Sequence, residues 1–209
     1  MSVNINADTT NGLVLTSDTS GEIKLQSAGA DIATVNSSGI TMASGKDITG
    51  ITTGKILQVV QTVYTANKTY SYSSHTWTEI TELATTITPS SASSKILIMI
   101  NFGKIDINAN GWVHKLVRNS TDIGVGDLVG SRKQGTFSSN GQGEDGNHVN
   151  SISFQYMDSP ATTSATTYKT YFAGEGTVLY LNRTANYTNS TDSPHSTNIS
   201  NMILMEVAG

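Results

Sequence analysis

The chain has 209 residues, 12 Lys and Arg against 16 Asp and Glu, four His and no Cys. Without cysteine there is no disulfide framework, Cys-ligated zinc or iron–sulfur centre, or thiol nucleophile. A net charge of −4 leaves no basic footprint for nucleic acid, and no apolar run approaches the ~20 residues that span a bilayer.

The N-terminus, Met1-Ser2-Val3-Asn4-Ile5-Asn6, lacks the basic-then-apolar plan of a secretory signal, so assembly in a cytoplasm is expected. Ser, Thr, Asn and Gly supply 92 of the 209 residues, whereas Glu, Lys, Arg and Leu, which clothe helices, are scarce. Thr suits a pleated surface and Ser, Asn and Gly suit turns. This composition predicts an all-β protein.

Residues 1–54 form the first predicted domain. Its apolar residues come in short bursts, Leu13-Val14-Leu15, Ile23-Lys24-Leu25, Ile32-Ala33-Thr34-Val35 and Ile40-Thr41-Met42, separated by turn clusters. Two hairpins, 12–26 and 31–43, fit this punctuation, with Ala28-Gly29-Ala30 as the spacer between them. Isolated hairpins are marginal in water, and so few large apolar side chains cannot offset the entropy of ordering about fifty residues. The segment is therefore expected to share its core with other copies, three in all, or with a docking surface, through Leu13, Leu15, Ile23, Leu25, Ile32 and Val35. The Gly-rich stretch 44–54 is the predicted linker.

Residues 55–209 carry longer strands, predicted at 56–65, 76–88 with a break, 95–104, 111–118, 150–158, 166–173, 177–183 and 199–207. Alternation is clean at Ile152, Phe154 and Tyr156, and no window shows a helical period. About eight strands indicate a sandwich, with a jelly roll as the leading topology. The runs Ile96–Ile100 and Met202–Met205 are apolar at every position, whereas an antiparallel sandwich keeps one face wet. A subunit interface would supply the second cover, and Ile98, Ile100, Ile203 and Met205 are its candidate residues.

Two long connections, 119–149 and 184–198, are where any ligand contact is expected. Arg132, Lys133, Arg183, Tyr187 and His195 are the candidates there. Tyr187 among Asn182, Arg183, Asn186 and Asn189 suits stacking on a sugar, whereas Trp77, Trp112, Tyr64, Tyr70 and Tyr72 fit packing. His148 and His195 with Asp145 or Asp192 have no metal-ligand spacing, and Gly143–Asn147 lacks the alternating oxygen ligands of a calcium loop. No Gly-x-Ser-x-Gly elbow is present. No enzymatic activity, cofactor or metal is expected.

The stretches Ile56–Thr62, Trp77–Ile80, Ile87–Ile98 and Asn198–Val207 resemble the C-terminal domain of fibre-like and head-decorating proteins of tailed bacteriophages, including those of cyanobacteria, and the first fifty residues resemble the shaft pieces before such domains. The resemblance implies a homotrimeric jelly-roll knob of the tumour-necrosis-factor and C1q type, its final strands near a threefold axis. It also implies a virion protein whose partners are a major capsid protein or a tail protein. The short N-terminal segment favours capsid decoration or cementing; the alternative is a short tail fibre, a receptor-binding adhesin reading host surface glycan.

Overall fold

The computed structural model describes residues 21–46, 56–107, 111–139, 150–186, 189, 191 and 195–209. Every long element among them is a β-strand, and no helix among them is long and apolar enough to cross a membrane. The chain divides into two units, Met1–Thr53 and Gly54–Gly209.

The first unit contains β1 (Ile23–Ser27), β2 (Ala30–Asn36) and β3 (Gly39–Met42), paired in that order as an antiparallel meander. Ala28 and Gly29 both have positive φ, +52° and +78°, the backbone that a two-residue hairpin turn needs to match strand twist. Between β2 and β3 the Ser38 N–H donates to Asn36 Oδ1 at 2.9 Å, a side chain closing its own turn. One expectation is corrected here. Ala28-Gly29 is the turn of a hairpin, so Ile23 and Leu25 pair with Val35 and Ala33. The expected partner strand of the 12–26 hairpin, with Leu13 and Leu15, lies outside the described residues.

In the second unit the strands are β4 (Ile56–Tyr64), β5 (Lys68–Ser71), β6 (Thr78–Glu79), β7 (Thr85–Ile87), β8 (Lys95–Ile107), β9 (Trp112–Arg118), β10 (Thr121–Ile123), β11 (Phe137–Ser139), β12 (Asn150–Asp158), β13 (Thr166–Gly174), β14 (Val178–Leu181) and β15 (Ser200–Val207), with a 3-10 turn at Thr81–Leu83. They make two antiparallel sheets, one of them curled into a half-barrel. The first runs β4-β15-β8-β14-β5, and β12 takes the other edge of β8, which is paired on both sides along Ile96–Phe102. The second runs β10-β9-β13-β6, with β11 on β9 and β7 on β13.

Between the sheets lies one apolar core. The first sheet contributes Ile96, Ile98, Ile100, Phe102, Met202 and Leu204; the second contributes Trp112, Leu116, Tyr168 and Phe172, and Ile80 and Leu83 seal it from the 3-10 turn. Strand alternation puts every second residue of β8 and β15 inward. Ile98 and Ile100 are therefore interior, 0% and 2% exposed, and have no surface to give a partner. Ile203 and Met205 belong to the opposite, outward face, together with Leu97 and Met99.

Candidate interaction surface

The strand registers place the outward side chains of the first sheet in rows. Val59, Met205, Leu97 and Met157 line up across β4, β15, β8 and β12. The next row is Gln61, Ile203, Met99 and Gln155, and the third is Val63, Asn201, Asn101 and Ser153. None of these twelve residues is charged, and the third row is knitted by a hydrogen bond from Ser153 Oγ to Asn101 Oδ1 at 3.0 Å. Val59 is 55% exposed, and Leu57, Val63 and Met157 are exposed beside it. A groove of about 310 Å³ runs among Met99, Asn101, Ser153, Gln155, Asn201 and Ile203. An outward sheet face normally carries polar residues and edge charges; this one is apolar across its first row and at the centre of its second, with amides around that margin.

At the far end of the same sheet the chain covers itself. Past Gly103 the outward positions are Lys104 and Asp106, both buried, with partners among residues 182–186 and 195–199. Lys104 Nζ donates to the Ser196 carbonyl at 3.1 Å and to its Oγ at 2.9 Å. Asp106 accepts from the backbone N–H of Ala185 and of Ile107, at 2.9 and 2.8 Å. Burial pulls the Lys104 ammonium below its usual range, and the charge of Asp106 opposes that shift. Asn182, at φ +63°, donates to the carbonyls of Tyr64 and Ala66 and accepts from Ser200 Oγ. Gly103 allows the crossing, because a Cβ there would strike the Ile199 carbonyl.

The expected ligand residues that are described contact different parts of the second unit. The Arg183 guanidinium carbon is 4.6 Å from the Tyr180 ring centroid, and Arg183 donates to Thr69 Oγ1 at 3.2 Å, on the outward side of the first sheet. His195 Nδ1 sits 3.0 Å from the Asn186 carbonyl, so it serves its own loop; Tyr187 is outside the described residues. Lys133 reaches across the second sheet to Trp77, 5.4 Å from the ring centroid, where Lys115 approaches at 4.9 Å and pairs with Asp122 at 2.8 Å. Arg132, exposed, keeps a long contact to the Val129 carbonyl. These lysine–indole contacts pin the first part of the 119–149 connection onto the sheet.

The remaining buried polar groups form structural links that the sequence reading missed. Arg118 Nη1 donates to both Asp158 oxygens at 2.9 Å, and Tyr168 donates its hydroxyl to the same carboxylate at 2.7 Å. Glu206, fully buried, accepts from Gln58 at 2.6 Å and from the Ser90 N–H and hydroxyl at 2.7 Å. Burial alone would raise its carboxyl, but these donors bring it down to about 2. His114 is stacked on Phe137, centroids 4.6 Å apart, and desolvation depresses it to about 3. Among the described residues no three His, Asp or Glu side chains are grouped to hold a metal; His148, Asp145 and Asp192 lie outside them. No family model matches the sequence, and no curated protein matches it.

Proposed function

We propose that this chain is a non-enzymatic structural protein of a virion surface, a homotrimer whose second unit is a jelly-roll knob and which decorates or cements the capsid. The observation that carries the reading is the uncharged apolar face centred on Val59, Leu97, Met99, Met157, Ile203 and Met205. A contiguous apolar patch of this kind marks an association surface, and the same chain has buried Lys104 and Asp106, at the polar end of that sheet, against its own Ser196 and Ala185. Strand order supports the jelly roll. Along the chain β4, β8, β12 and β15 fall in one sheet, while β6, β7, β9 and β13, which come between them, fall in the other. The virion role follows from the resemblance of the Ile56–Thr62, Ile87–Ile98 and Asn198–Val207 stretches to phage head-decorating and fibre proteins.

Sedimentation of the purified chain and of Met205→Lys tests the association. The parent should run as a trimer at micromolar concentration and the variant as a folded monomer, its circular dichroism unchanged, because an ammonium in each copy of the face must be desolvated. A variant that stays trimeric would remove this face from the interface. Copy number on purified particles then separates the roles: hundreds per particle fits decoration, and a few trimers fits a tail fibre.

A further inference from the structure

The first unit has its own one-sided sheet. Ile23 lies opposite Val35 and Leu25 opposite Ala33; on the other edge of β2, Ala33 lies opposite Met42 and Val35 opposite Ile40. Residues paired across antiparallel strands share a face. All six side chains of these two rows are therefore apolar, while the row Lys24, Thr34 and Thr41 lies on the other side. Ile32 falls where the β1–β2 register slips, between the Leu25–Ala33 and Gln26–Asp31 pairs, and has no partner on β1. Ala33, at the centre, is buried by its neighbours, but Ile40 remains 66% exposed and Leu25 49%. A sheet apolar on one face needs a second layer to lie against it.

The size of the patch says what that layer is. Three strands ~4.8 Å apart and two residue rows ~6.8 Å apart give only ~200 Å² of flat face. A stable contact between separate proteins takes about 800 Å² from each partner. A patch this small cannot hold a capsid or tail protein from solution. It can hold a partner already kept close, and β3 ends at Met42 only a short stretch of sequence before β4 begins at Ile56. Short tethers to a common assembly raise the effective concentration of neighbouring sheets to the millimolar range. With no charge among the six residues, identical faces meet without repulsion.

We infer that the Ile23, Leu25, Ala33, Val35, Ile40 and Met42 face packs against the same face of the neighbouring copies, so that the N-terminal sheets of one assembly enclose a small common core. This rests on the reading that the second units associate. It assigns the face to sister copies and away from the particle.

The native chain has no cysteine, so single cysteines report proximity directly. Ile40→Cys and Thr41→Cys, each in the full-length chain, place a thiol on the apolar and on the opposite side of β3; both are made and oxidised with copper phenanthroline at low micromolar concentration. The inference expects Ile40→Cys to form covalent dimers at least tenfold faster than Thr41→Cys while both sediment as the parent does. Equal rates in an intact assembly would overturn it and leave the proposed function standing. If the thiol of the Ile40→Cys variant is protected from a thiol reagent only after particles are added, that would overturn it in favour of docking. A parent chain that sediments as a monomer would overturn both readings together.

Discussion

His114 is a titratable ring in a place that admits no charge. Phe102, Phe137 and Trp112 surround it, Phe172 is its register partner on β13, and no charged side chain is among these neighbours. Neither ring nitrogen has a hydrogen-bond partner among the described residues. In the unfolded chain the imidazole takes a proton near pH 6.5, whereas the folded protein resists until about pH 3. The unfolded state therefore binds more protons across that window, and stability must fall as the pH drops from 6.5 toward 3. His114→Phe keeps a ring on the stack and removes the titration. Its stability relative to the parent should rise by about 2 kcal/mol between pH 8 and pH 5, from 1.36 kcal/mol per pH unit. Urea unfolding at the two pH values measures this, and parallel pH profiles would reject it. Glu206 works in a lower window with a different origin. Its folded carboxyl sits at about 2 against an ordinary 4.5, so its contribution is present above pH 4.5 and is lost as pH falls toward 2.

At the scale of elements, Asn182 joins three pieces of the first sheet: β14 precedes it, its amide donates to the loop after β4, and its oxygen accepts from Ser200 at the head of β15. Asn182→Ala leaves two buried carbonyls and a hydroxyl short of a partner and keeps a β-carbon at positive φ. The expected loss is about 2–4 kcal/mol, with hydrogen exchange rising over 182–199 and at Lys104 above it; exchange confined to residue 182 would deny the loop its anchor. The long strands of this sheet are legible in the sequence because alternation such as Ile152, Phe154, Tyr156 is a physical record of two faces. β5, β10 and β11 are not, since Lys68–Ser71, Thr121–Ile123 and Phe137–Ser139 are too short to alternate and owe their conformation to the neighbour they pair with. A uniformly apolar run carries no phase, which is why Ile98 and Ile203 look alike in the sequence although one faces the core and the other faces out. The predicted end of β8 at residue 104 fails for a related reason. Lys104 reads as the last strand residue and Asp106 as loop, because their partners, Ser196 and Ala185, lie 92 and 79 residues further along the chain. Ala28-Gly29-Ala30 reads as a turn cluster but not as the closing turn of a hairpin, because alanine is not a residue from which positive φ is expected.

For the molecule as a whole, the proposed trimer raises the question of which unit would hold it together. The core of the second unit is complete in itself: every residue of the apolar cluster lies between Tyr70 and Leu204. Among the described residues the first unit has one small sheet with an exposed apolar face, too little to offset its ordering cost. Order should therefore flow from the knob to the N-terminal sheets, with the second units associating first and thereby concentrating the sheets. Deleting residues 1–45 tests this direction. The shortened chain should unfold at the same urea concentration as the second unit within the parent and should still sediment as a trimer, because the Val59–Met157 row and its neighbours are untouched. Loss of particle joining in this truncate would place attachment in residues 1–45 outside the Ile23–Met42 face, which is given to sister copies. A monomeric truncate would place the assembly energy in the N-terminal sheets and reverse the order of events. A truncate that still decorates particles would move attachment onto the knob, where the outward face of the second sheet, with Trp77, Lys115 and Lys133, would be the surface to mutate first.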